Sequence, residues 1–136
     1  MNFDQARAAV FGRMNTVFEV ANPTVPVQYE NRLTVDLATQ EVPFVVCELA
    51  FGDGEQVNLG LTPQVRYRGA IYLSVWAKEG EGSTTALGLL SALATDFKPQ
   101  ALGSLYLQAA RPMPGRTAQG WYVLTLRVPF YFDDQP

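Results

Sequence analysis

At 136 residues the chain has the size of one ordinary domain, able to bury roughly two-thirds of its unfolded surface around a single core. Its formal charge of −3 and pI near 4.8, with ten basic residues that read as scattered, argue against a nucleic-acid or anionic-membrane surface, because both require clustered Lys and Arg. Charged residues make up 17% of the chain and hydrophobic ones 48%, where soluble domains average about 25% charged. So sparse a charged surface favours one covered in a homo-oligomer, the alternative being a well-packed monomer.

Residues 2–19 carry Phe3, Ala6, Val10, Met14, Val17 and Phe18 at helical spacing, with Arg7, Arg13 and Glu19 mostly off that stripe, which predicts an amphipathic helix capped by Asn2 or Asp4. These opening residues lack the basic start, apolar run and cleavage site of a signal peptide, and no run approaches the ~18 apolar residues that span a bilayer. Pro23 and Pro26 end the helix. Residues 27–31 read as a short extended piece, and residues 32–40 as loop or a short helical turn. The run from Pro43 to Phe51 is dense in β-branched and aromatic residues and predicts a strand; Gly52, Asp53 and Gly54 read as the turn that follows. Its Cys47, the chain's one cysteine, excludes an internal disulfide and reads as a small buried hydrophobe in a reducing cytoplasm.

Residues 56–61 and 65–78 continue as extended segments. In the second, Val65, Tyr67, Ile71, Leu73 and Val75 alternate with Arg66, Arg68, Tyr72, Ser74 and Trp76, so one face is buried and the other mixed, and Tyr72 and Trp76 require that mixed face to be partly covered. After a solvated turn, Ser83 or Thr84 caps a second helix that runs to about Phe97 through Leu87, Leu90, Leu93 and Ala94 and is stopped by Pro99. A short strand over residues 104–109 leads through a loop over residues 111–116 into a long strand over residues 120–132. There Pro129, having no N–H for the ladder, implies an edge or a bulge. The predicted fold class is α+β, a mainly antiparallel, mixed β-sheet with two α-helices packed on one face, in a single domain over residues 1–136.

The chain contains no histidine. That removes the usual neutral-pH general base, any Ser/His or Cys/His pair, and the commonest zinc ligand. Gly52 and Gly54 match the first two positions of a dinucleotide fingerprint, but Val57 occupies the third and no crossover unit follows, so the stretch reads as a hairpin tip. The carboxylate pairs Asp53/Glu55, Glu79/Glu81 and Asp133/Asp134 fall in predicted turns or at the tail, where solubilising acids are the rule. Glu48 alone lies inside a predicted buried strand, and acid chemistry would have to start there. Arg66 and Arg68 project from one strand face, either into solvent or toward acids of a neighbouring subunit. Trp121, Tyr122, Phe130, Tyr131 and Phe132 read as core packing before a ligand pocket. No catalytic residue, metal ligand or cofactor site is expected.

The order of these pieces resembles the phage tail terminator-like proteins, small minor tail or tail-completion proteins of long-tailed phages and prophages. The resemblance rests on the N-terminal helix, the stretch from Val27 to Asn31, the strand from Arg66 to Lys78, the Gly80 to Gly82 turn into the second helix, and the closing strand from Gly120 to Phe132. It spans nearly the whole chain. It implies an α+β subunit of a hexameric ring that caps the tail tube, halts its polymerisation and offers a joining surface to the head connector. The implied partners are further copies of the chain, the tube protein and head–tail connector proteins, in a virion tail assembled in the bacterial cytoplasm. In such a ring the sheet edges and the loops over residues 51–60 and 111–119 would make inter-subunit or tube contacts, acidic Asp53 and Glu55 facing basic Arg66, Arg68 or Arg116, with Arg111 a further interface residue. A head-side connector subunit and, from another class, a small-ligand binding module are the alternatives.

Overall fold

The computed structural model describes residues 1–30, 40, 43–80 and 83–135. The chain opens with α1 (Phe3–Arg13), which passes through a π-helical segment (Met14–Phe18) into a last turn, α2 (Glu19–Ala21), without a break. Asn2 caps the start: its side chain accepts from the Gln5 backbone N–H and the Gln5 side chain accepts in return from Asn2 N–H, so two orphan donors are satisfied. Ala6, Val10, Met14 and Phe18 are all fully buried, and they recur every four residues. An α-helix turns once in about 3.6 residues, so a four-residue repeat drifts by roughly 40° per step; the wider π turn takes up that drift and keeps Phe18 in line with Ala6.

The sheet runs in the order β1-β2-β3-β8-β5-β4, from β1 (Val27–Tyr29), β2 (Phe44–Gln56), β3 (Val65–Lys78), β4 (Gln100–Leu102), β5 (Leu105–Leu107) and β8 (Trp121–Asp134). Two further pieces, β6 (Arg111–Pro112) and β7 (Arg116–Ala118), pair with β8 on the same side as β5, so the chain from Leu105 to Ala118 follows β8 as one interrupted partner. Among the described residues only β1 with β2 is parallel. β3 and β8 pair antiparallel along their full length, from Val65 opposite Asp134 to Lys78 opposite Trp121.

That register sorts the side chains into two faces. Ile71, Leu73, Val75 and Ala77 share one face with Val45 and Cys47 of β2 and Leu124, Leu126 and Val128 of β8, and there they pack against α1, the π segment and α3 (Thr84–Asp96). Both helices thus cover the same face. On the other face Phe44, Val46 and Trp121 form a smaller buried cluster with Trp76 against it. Phe44 to Cys47 are buried in succession because both faces are covered at this end of β2, and the Cys47 thiol is held well above its ordinary pKa by that burial.

Several segments depart from their sequence reading. β2 does not turn at Gly52 to Gly54 but continues to Gln56 across a bulge, where Phe51 pairs with Gly69 and Gly54 with Tyr67. A Cβ at Gly52 would sit 2.9 Å from the Arg68 carbonyl oxygen, so glycine is what lets the bulge close. Of residues 56–61 only Gln56 is strand, while residues 65–78 match in full. The strand read over residues 104–109 is Leu105–Leu107, with β4 unforeseen before it. Ser83 is the N-cap of α3 but its side chain makes no capping bond. Pro129 lies in an interior strand, not at an edge: its carbonyl accepts from Gln108 N–H, so its N–H-less side faces the gap between β5 and β6 and leaves the β3 ladder intact. The loop or turn read at residues 32–40 lies, except for Gln40, outside the described residues.

Gly69 sits where β2, β3 and β8 converge, and a Cβ there would collide with the Ala50 carbonyl oxygen and lie 2.7 Å from the Phe130 ring. Gly69→Ala is therefore expected to lower unfolding stability by about 1–3 kcal/mol, the usual cost of overpacking, read from urea midpoints at unchanged slope.

Candidate assembly surface

Beyond Phe51 and Tyr67, which both still pack on Phe3 of α1, the β2–β3 hairpin leaves the helix-covered body. Phe51 closes that body, stacking edge-on against Phe3 at 5.0 Å and Phe130 at 6.0 Å. Every residue over 50–63 is exposed. The tip is nonetheless an ordered turn: Val57 N–H donates to the Gln64 carbonyl at 2.9 Å, Gln64 N–H to Asn58 Oδ1 at 2.9 Å, and the Gln56 side-chain amide to the Asn58 carbonyl at 2.7 Å. On it Leu59 is 99% and Leu61 106% exposed. Holding two leucines in water forgoes about 1.5–3 kcal/mol apiece that burial would supply. Residues 51–64 of the arm carry two charges, Asp53 and Glu55, both acidic; neither forms a salt bridge among the described residues, and Glu55 lies across the ladder from Arg66.

The sheet face away from the helices carries the opposite sign. Arg66, Arg68 and Lys78 of β3, Arg127 of β8, and Arg111 and Arg116 of β6 and β7 all fall on it by register, which is six of the ten basic residues of an acidic chain. The basic residues are scattered in sequence but gathered in space. They are threaded with aromatics: the Arg66 guanidinium lies 4.6 Å from the Tyr131 ring centroid, Lys78 Nζ 4.5 Å from Trp121, and Arg116 5.6 Å from Trp76. Tyr131 stacks in turn on Tyr106 at 5.0 Å.

Of the six residues the sequence singled out, Arg66 is engaged within its own chain. Its guanidinium donates to both oxygens of Asp133, at 2.8 and 3.1 Å, and this pairing holds the Asp133 carboxyl below its ordinary range. Arg68 shares the strand face of Arg66, as expected, and lies 6.0 Å from the Tyr131 ring. Glu55 stands across from Arg66 in the ladder, so Asp53 and Glu55 belong to a strand rather than to a turn. Arg111 and Arg116 flank Pro112, Met113, Pro114 and Gly115 on the outer margin of β8; both are exposed and unpaired with any acid among the described residues, with Met113 exposed between them. Two of the expected features are thus brought to opposite sides of the sheet. The arm projects from β2 and β3, and the Arg111–Arg116 margin lies beyond β8. What sequence reasoning missed is the gathered basic face, which depends on pairing between strands far apart in the chain.

The carboxylates that the sequence singled out lie apart from one another. Glu48, expected inside a buried strand, is exposed opposite Tyr72 because it falls on the open face. Asp133 and Asp134 end β8 instead of lying in a tail loop; Glu79 sits in a turn, and Glu81 lies outside the described residues. The aromatic cluster divides by register, Tyr122, Phe130 and Phe132 toward the helices and Trp121 and Tyr131 away from them. Among the described residues no three His, Cys, Asp or Glu side chains gather as a metal site, and no helix is long and apolar enough to cross a membrane. Two depressions, of about 390 Å³ beside Met1, Tyr106, Asp133 and Asp134 and about 340 Å³ beside Lys78, Ser83 and Tyr122, are both open to solvent.

No family model and no curated protein matches the chain. A solved structure whose name carries no functional description superposes on it with a TM-score of 0.73 at 19% identity, covering 100% of this chain and 99% of the other. The likeness shows a shared fold over both full lengths.

The Arg66–Asp133 pair has a definite pH signature. A carboxyl whose folded pKa is depressed stabilises the fold above its unfolded value and loses that contribution as pH falls through the folded one. Asp133→Asn is thus expected to lower the Tm at pH 7, and the gap to the unsubstituted chain to shrink below the ordinary value of 3.8, as followed by circular dichroism melts.

Proposed function

We propose that this chain is a structural subunit of a phage or prophage tail, a terminator-like protein whose copies form a ring on the end of the tail tube, stop its polymerisation and present a surface for joining the head. The observation that carries this reading is the pairing of an acidic, leucine-tipped arm on one side of the sheet with an unpaired arginine margin on the other. Surfaces of opposite character on opposite sides suit a head-to-tail contact, the kind that closes into rings. The sparse overall charge and the order of elements that resembles tail terminators support it. In this reading the protein acts without a reaction centre, in the virion tail, and its partners are its own copies, the tube protein and the head connector.

The decisive experiment adds purified protein to polymerising tube protein from the same phage or prophage and measures tube lengths by electron microscopy. Capping predicts short tubes of uniform length, each ending in a ring; tubes that lengthen as if nothing had been added would overturn the terminator role.

A further inference from the structure

The arm carries the two most exposed large hydrophobic side chains among the described residues. Leu59 and Leu61 are fully solvated on a turn fixed by three hydrogen bonds, and residues 51–64 carry two acids and no base. Charge and apolarity are matched elsewhere on the same chain. At the Arg111–Arg116 margin two exposed arginines bracket the exposed Met113, and Pro112 and Pro114 withdraw backbone donors from the ladder there, so the outer strand is broken between β6 and β7. Arg127, the ladder partner of Arg111, adds a third positive group beside the break; its Nε lies 3.4 Å from the Tyr72 hydroxyl, and no acid is salt-bridged to it among the described residues.

We infer that the arm of one copy docks on the Arg111–Arg116 margin of the next, with Leu59 and Leu61 against Met113 and the acids Asp53 and Glu55 facing Arg111 and Arg116. The inference rests on the ring reading and names the surfaces it would use. The arm extends from the β2–β3 side of the sheet and the margin lies beyond β8, so arm and margin meet only between chains, and each copy gives with one side and receives with the other. Flexible methionine is suited to receiving leucine side chains on a surface that exists free before assembly.

The contact is tested by trapping it. A chain bearing Leu61→Cys and a chain bearing Met113→Cys are mixed in equal amounts and oxidised gently, and the crosslinked pairs are counted by non-reducing mass spectrometry. Both positions are exposed, so the fold is retained, and the native Cys47 is fully buried and out of reach of a partner. Arm-on-margin docking predicts that mixed pairs outnumber like pairs by about tenfold, where random collision gives only twice as many of the mixed product as of either like one. Asp53→Arg on the first chain or Arg116→Glu on the second lowers the mixed yield several-fold, and the two together restore it. Like and mixed pairs at the random ratio, or reversals that fail to rescue each other, would overturn the contact. If tubes are still capped in that event, the ring is built through other surfaces and only this inference falls; if trapping succeeds while tubes grow uncapped, the contact stands and the terminator role is lost.

Discussion

The ladder between β3 and β8 is the constraint on which the rest of the molecule depends. Its register is unbroken from Val65 opposite Asp134 to Lys78 opposite Trp121, and every other element takes its place from it. Because alternate residues must point to opposite faces, one register determines both which side chains the helices cover and which basic groups are left together on the far side. A slip of one residue would put Leu73 and Leu126 into solvent and Arg66 and Arg127 into the core. The Arg66–Asp133 pair and the row of apolar side chains beneath the helices fix the same alignment from the two faces, so charge pairing and burial are satisfied by a single solution. The arm is a consequence of length: β2 and β3 run on beyond the place where Phe3 meets Phe51 and Tyr67.

Much of this arrangement is legible in the sequence, and the reason differs from element to element. The helix carrying Ala6, Val10, Met14 and Phe18 announces itself because its burial pattern is local and repeats within each turn. The strand from Val65 to Lys78 is equally plain, since alternation records a half-buried sheet directly. The bulge at Gly52 is not plain, because two glycines around an aspartate have the composition of a turn; only the opposing β3, continuing past them, converts them to strand. Pro129 misleads in a similar way. A missing N–H is fatal to a ladder on one side only, and nothing local says which side that is. The gathering of Arg66, Arg68, Arg111, Arg116 and Arg127 on one face is a property of pairing between residues distant in the chain, which composition and spacing do not contain.

Net charge is correspondingly a poor guide to what a partner meets. The chain is acidic as a whole, yet the sheet face away from the helices carries six bases, of which Arg66 alone is answered by a salt bridge among the described residues. An approaching surface within a Debye length, about 8–10 Å at moderate salt, responds to that local field rather than to the total. Glu48, Glu55 and Asp133 share that face by register and offset part of the field at the Arg66 end, which leaves the contrast sharpest toward Arg111 and Arg116. Positive groups seated on Tyr131, Trp76 and Trp121 are also held in place, which lowers the entropy they would lose on meeting an anion.

The π-helical segment has a consequence for how this helix tolerates changes in length. From Ala6 to Phe18 the chain advances 12 residues while its buried side chains return to the same face three times, where three turns of an α-helix hold about 11. The segment therefore stores one surplus residue. A homologue lacking one amino acid between Met14 and Phe18 could wind as uninterrupted α-helix and still aim both ends of the stripe at the sheet, whereas a deletion before Met14 would turn Ala6 and Val10 away from it. Insertions and deletions are thus buffered at that one place in the helix, and an alignment gap there would mark common ancestry rather than a change of architecture.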